Sequence, residues 1–143
     1  MAFTGNYVCN SFLSGLLNGD FDFDTGTADV FKLALYTNDA TLNAETAAYT
    51  TTGEVSASGY PAGGVVLTPT KGIGNVSTSG GTSFVTFANI TVSAALTARG
   101  ALIYKNGGAA VCVLDFGADR TSTTSFQVTF PSANAADALV RVS

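Results

Sequence analysis

The sequence predicts an all-β, mainly antiparallel fold, a β-sandwich or jelly roll with one N-terminal helix. Apolar runs of strand length recur along the chain from Val30 onward, and Gly, Ser, Thr and Asn cluster between them. Only one segment carries helical spacing. Short strands with turn signals between them are the signature of sandwiches and jelly rolls.

The helix is expected over Tyr7–Asn18, where Tyr7, Val8, Phe12, Leu13, Leu16 and Leu17 recur at intervals of one, four and three. Asn6 is the candidate cap at its start and Gly19 the stop at its end. The chain then shifts to period two or to short apolar runs. Val30–Thr37, Val65–Thr68 and Ser83–Val92 read as strands, followed by Arg99–Tyr104, Ala110–Phe116, Ser125–Phe130 and Ala138–Val142. Thr50–Val55 and Gly74–Ser77 are weaker strand signals. Asn106-Gly-Gly108 accepts the positive φ of a tight hairpin, so Arg99–Tyr104 and Ala110–Phe116 should pair antiparallel. Asp39–Tyr49 is expected to form a short helical turn, Gly53–Gly64 a connection, and Ser93–Ala98 a brief turn.

No long block of charge or proline marks a linker, so residues 1–143 read as one domain. It consists of an N-terminal helical segment, 1–19, and a β-sandwich over 28–143. A chain near 150 residues buries roughly 68–70% of its unfolded surface, enough for a core without staples. Cys9 and Cys112 lie far apart, and the apolar run around Cys112 reads as burial rather than as a disulfide.

Composition weighs on function. The chain has no histidine, so the commonest general acid–base group is missing and no nucleophile–histidine pair exists. Charged residues make up 11% of the chain and the net charge is −4. The six scattered bases form no phosphate-neutralising cluster, so nucleic acid is not an expected partner. No run approaches the ~18 apolar residues of a membrane span. The first residues carry no Lys or Arg ahead of a continuous apolar core, unlike a secretory signal. The expectation is a protein that is not an enzyme, has no cofactor and no small-molecule substrate, and works through contact surfaces.

Two constellations invite a chemical reading. Asp20-Phe-Asp-Phe-Asp24 puts three carboxylates on one face of an extended chain, which makes Asp20, Asp22 and Asp24 weak candidates for a divalent ion. The calcium-loop pattern then fails, because its glycine and glutamate positions hold Thr25 and Phe31. Lys32, Arg99, Asp115 and Arg141 sit within or beside apolar runs; Arg99 and Asp115 are the better candidates for an ion pair. The glycine-rich stretches, Lys71-Gly-Ile-Gly-Asn among them, lack the spacing of a phosphate loop.

Four segments carry a family resemblance: Phe31-Lys-Leu-Ala-Leu-Tyr-Thr-Asn-Asp-Ala-Thr-Leu42, Thr52-Gly-Glu-Val-Ser-Ala-Ser-Gly-Tyr-Pro-Ala-Gly-Gly64, Thr97-Ala-Arg-Gly-Ala-Leu-Ile-Tyr104 and Val113-Leu-Asp-Phe-Gly-Ala-Asp119. Together with an opening Thr-Gly-Asn-Tyr segment that leads into a helix, they resemble small virion structural proteins of tailed bacteriophages, the capsid cement or head decoration proteins. The resemblance implies a jelly-roll-like viral protein on the outer surface of the icosahedral capsid, assembled in the host cytoplasm. Its partners would be the major capsid protein, whose subunits it bridges for capsid stabilisation, and itself as a homodimer or homotrimer. A receptor- or glycan-binding module of a tail fibre or spike is the alternative, since jelly rolls serve both roles.

On this reading the segments Ala2–Leu17 and Asp39–Tyr60 should supply the contact surface, being least explained by sheet formation. The named candidates are Phe3, Tyr7, Phe12, Leu13, Leu16, Tyr49 and Tyr60. Removal of Ala2–Leu17 should then leave a folded sheet with weakened assembly.

Overall fold

The computed structural model describes residues 3–23, 29–71, 83–131 and 139–142. They form strands β1 (Tyr7–Val8), β2 (Phe31–Tyr36), β3 (Val65–Leu67), β4 (Pro69–Lys71), β5 (Ser83–Phe87), β6 (Ile90–Val92), β7 (Leu96–Lys105), β8 (Ala110–Ser122), β9 (Phe126–Val128) and β10 (Val140–Val142), with helix α1 over Asn10–Asn18. Every strand pair is antiparallel. A five-stranded sheet runs β1-β8-β7-β2-β3, beside a three-stranded sheet β10-β5-β4 and a two-stranded one, β6-β9. The all-β antiparallel sandwich with an N-terminal helix is therefore present.

The large sheet is covered on both faces. Phe31, Leu33 and Leu35 of β2, with Ala101 and Ile103 of β7, pack against Val85, Phe87, Ile90, Val92, Phe126 and Val128 of the smaller sheets. The alternate residues Ala34, Tyr36, Leu102 and Tyr104 face the other way, onto Phe3, Cys9, Ala40 and Leu42. Side chains of a strand alternate between faces, so burial of both turns β2 and β7 into almost unbroken apolar runs. The second face is covered by the chain around Phe3 and Cys9 and by Ala40 and Leu42 of the long loop after β2, a loop that makes only single bridges, whereas Phe12 of α1 and Val55 and Tyr60 of the loop join the main core.

The helix is shorter than the apolar spacing predicts. Tyr7 and Val8 instead form an edge strand opposite Val113 and Cys112. Cys9 takes the extended N-cap geometry without a side-chain cap, and Asn6 does other work: its Oδ1 accepts the backbone N–H of Asp115 at 2.6 Å. Gly19 ends the helix as expected, at φ 78°, with its own N–H bonded to Leu16 and that of Asp20 to Gly15. This paired closure needs a left-handed residue, which glycine adopts without strain.

Other expectations shift at their edges. Ser83–Val92 is two strands in two sheets, broken at Ala88 and Asn89; the Asn89 side chain accepts the N–H of Phe130 at 2.8 Å. β7 starts at Leu96 and absorbs the end of the expected Ser93–Ala98 turn, with Leu96 and Ala98 buried and Thr97 exposed. The Asn106–Gly108 hairpin joins β7 to β8 as expected, with Gly107 and Gly108 at positive φ. Asp39–Tyr49 makes turns but no helix, and Thr50–Val55 contributes one bridge, Tyr36 to Glu54. Gly74–Ser77 lies outside the described residues, as do the side chains of Lys71 and Arg141. Both cysteines are buried and free.

The N-terminal segment is thus part of the fold. Phe3 and Phe12 are each 1% exposed, and Phe3 lies so close over Gly100 that a Cβ there would stand 2.4 Å from its ring. Removal of residues 2–17 strips both aromatics and strand β1, so the remaining chain is expected to lose its cooperative thermal transition rather than keep a folded sheet. The milder change Phe3→Ala should cost about 3 kcal/mol, as other buried phenylalanine truncations do. Circular-dichroism melts of both variants check this, and an unchanged melt of the truncated chain would contradict it.

Candidate functional site

A dense polar cluster sits where the loop 37–64 returns to β2. Val55 donates its N–H to Leu35 O at 2.9 Å, and Thr37 bonds Gly53 O through its N–H at 2.8 Å and its hydroxyl at 3.1 Å. These bonds hold Glu54, half-buried, against the sheet. Its Oε2 accepts the Tyr49 hydroxyl at 2.5 Å; its Oε1 accepts the Tyr60 hydroxyl at 2.9 Å and the Gly63 N–H at 2.8 Å. Tyr60 in turn accepts the Leu35 N–H at 2.9 Å, Tyr36 donates to Thr50 O at 2.6 Å, and Tyr104 donates to Gly63 O. The Tyr49 and Tyr104 rings stack with centroids 4.7 Å apart.

Four phenols around one carboxylate stay protonated. Burial is the main cause and pushes Tyr36 and Tyr60 well above the ordinary phenol range; it raises Tyr104 too, helped by the charge of Glu54. Tyr49 is pushed up to about 12 by burial and by its hydrogen bond to Glu54. Both carboxylate oxygens are engaged by donors of the chain itself. The cluster therefore acts as a clasp that fixes loop to sheet.

A second polar joint ties the N-terminal segment to the β7–β8 hairpin. Ala98 pairs with Arg120 and Gly100 with Asp115, so residues 116–119 bulge out opposite Arg99 alone. Arg99 forms an ion pair with Asp115, each side chain only 13% and 12% exposed, and lies 5.8 Å from the Phe3 ring centroid. Asp115 also accepts the Gly117 N–H at 2.8 Å. The two charges singled out in the sequence thus pair with each other inside one chain, closing the bulge.

The acidic stretch after α1 meets a cation from the chain itself. Lys105 Nζ donates to the backbone oxygen of Asp20 at 2.6 Å, lies 3.3 Å from Asp29 and 5.7 Å from the Phe21 ring. The backbone N–H of Asp22 bonds Asp29 at 2.9 Å. Asp24 lies outside the described residues. Among the described residues no group of three His, Cys, Asp or Glu side chains is placed to hold a metal ion.

The contact candidates divide. Phe3, Phe12 and Tyr60 are buried within the chain, which corrects their assignment to an outer surface: Phe12 and Tyr60 join the main core on one face of the large sheet, and Phe3 covers the other face. Tyr7 is half-buried and bonds Thr4; Leu16 is half-buried against the main core, and Tyr49 is held by Glu54 and Tyr104. Leu13, at 49%, remains outward. Leu17, one turn further along the same helix, is 91% exposed and belongs with it; the spacing of four between them was the available signal. Val8, Val30 and Val66 are further exposed apolar side chains. No family model, curated protein or solved structure matches the chain.

Two measurements probe the clasp. Glu54→Ala leaves two phenols and one N–H without their acceptor and should cost about 2 kcal/mol or more, read as a lower urea midpoint. Alkaline pH should act on the same groups. Their folded pKa values lie above the ordinary 10.0, so the stability they contribute is present below pH 10 and is lost as pH rises through the raised values, from 10 toward 12. Urea midpoints measured across that window should fall; a flat profile, with phenolate absorbance appearing at pH 10 while the fold persists, would contradict the geometry.

Proposed function

We propose that the protein is a virion structural protein, a cement or decoration protein. It binds the outside of an icosahedral phage capsid and bridges major capsid protein subunits. The observation that carries this reading is the pair Leu13 and Leu17, apolar and outward on α1, while among the described residues every buried polar side-chain atom is engaged within the chain. Apolar side chains grouped on an outer face favour a partner that covers them. The sequence resemblance described above supports the same role.

The physics suits a clamp. A contact protein needs a rigid surface rather than reactive groups, and doubly covered β2 and β7 provide rigidity. A lasting assembly contact buries roughly 2,000 Å² or more and needs no catalytic side chain. Homo-oligomer formation would add contact area per particle. The receptor- or glycan-binding alternative loses the aromatics it would present, because Tyr60 is buried and Tyr49 is held against Tyr104 and Glu54.

Quantitative mass spectrometry of purified particles tests the proposal. A shell cement should be present in hundreds of copies per virion. A handful of copies would overturn the reading in favour of a tail fibre or spike.

A further inference from the structure

The β7–β8 hairpin outruns its neighbours. Strand β1 covers only Val113 and Cys112, so the far half of β8 has β7 on one side and no strand on the other among the described residues. Strand β9 pairs with β6 alone. Phe130, two residues beyond β9, turns its N–H to Asn89 on the β6 side. Backbone groups alternate along a strand, so those of Gln127 and Thr129 point away from β6, to a side on which β9 has no partner strand among the described residues.

Residues of the far half of β8 and of β9 together line one groove of about 620 Å³. Phe116 and Phe126, with ring centroids 6.1 Å apart, supply its apolar part. Arg120 is the one charged side chain among its described lining residues. One guanidinium N–H goes to Phe116 O at 3.3 Å, and among the described residues the side chain has no carboxylate partner. An arginine offers five donors in a planar fork suited to a carboxylate.

We propose that this groove takes an extended, carboxylate-bearing polypeptide segment of a neighbouring shell subunit, which adds as a strand to β9 and sets its acid on Arg120. The proposal rests on the shell-binding reading above and names where that contact is made. A strand edge offers donors and acceptors at the ~3.3 Å repeat of an extended chain, the basis of recognition by strand addition. A second copy paired edge to edge at β9 would not satisfy the site, because Ser125–Pro131 contains no carboxylate.

Photo-crosslinking in purified particles tests it, with a benzophenone label at Gln127 and a comparison label at Leu17. The Gln127 label should link to a shell subunit within a few residues of an Asp or Glu. Gln127→Pro removes an edge N–H at an exposed position where proline is tolerated, and Arg120→Glu reverses the groove's charge. Each should lower particle occupancy at least tenfold with the melting temperature of the free protein unchanged. Should the proline variant fail to fold, Arg120→Glu and the crosslink decide alone. Wild-type occupancy by the variants, or a Gln127 label that joins no other chain while the protein is on particles, overturns the groove and leaves the shell reading standing. Absence of the wild-type chain from particles overturns both.

Discussion

A half-buried carboxylate, Glu54, holds the second covering layer of the large sheet in place. The loop 37–64 has almost no regular structure, yet it must shield Tyr36 and Tyr104 from water on a sheet whose other face already carries the main core. Ordering a long loop costs roughly 1–2 kcal/mol per residue in backbone entropy, and a few apolar contacts do not offset that alone. Glu54 gathers Tyr49, Tyr60 and Gly63 onto two oxygens, and Tyr60 carries the connection into the sheet through Leu35. With the loop fixed, Ala40 and Leu42 close over Ala34 and Leu102. The N-terminal segment completes the layer through Phe3, which Arg99 and Asp115 brace from the hairpin.

Much of the sandwich was legible in the sequence because strand periodicity and turn chemistry are local. Phe31–Tyr36, Val65–Leu67 and the Asn106-Gly-Gly108 hairpin fall where alternation and positive-φ residues put them. The errors arose where long-range packing decided. Tyr7 and Val8 fit a helical spacing, but β8 offered an open edge opposite Val113 and Cys112, and pairing there prevailed. Ser83–Val92 looks like one strand, and only the partner strands reveal that its halves belong to different sheets.

The contact residues were harder still. Phe3, Phe12 and Tyr60 carry the chemistry of an interface, but the same chemistry covers the faces of the chain's own sheet, Phe12 and Tyr60 on one and Phe3 on the other, and sequence does not say which faces are in need. A single glutamate between Gly53 and Val55 has no local signature; the role of Glu54 comes from the hydroxyls of Tyr49 and Tyr60, 5 and 6 residues away, and from the N–H of Gly63, 9 residues away. Arg99 and Asp115 were visible as charges in apolar runs, and their mutual pairing required the register of β7 against β8. Leu13 and Leu17 on the helix, and the β9 edge that has no partner strand among the described residues, form a shorter and more specific list of places for a partner.

Amide hydrogen exchange of the free protein tests the central claim most directly. If Glu54 makes the loop a layer of the fold, the N–H groups of Leu35, Val55 and Gly63, bonded to Tyr60, Leu35 and Glu54, should exchange as slowly as those of the β7–β8 hairpin. Rapid exchange at Val55 and Gly63 beside a protected hairpin would contradict it, because the loop would then be opening independently of the sheet it covers.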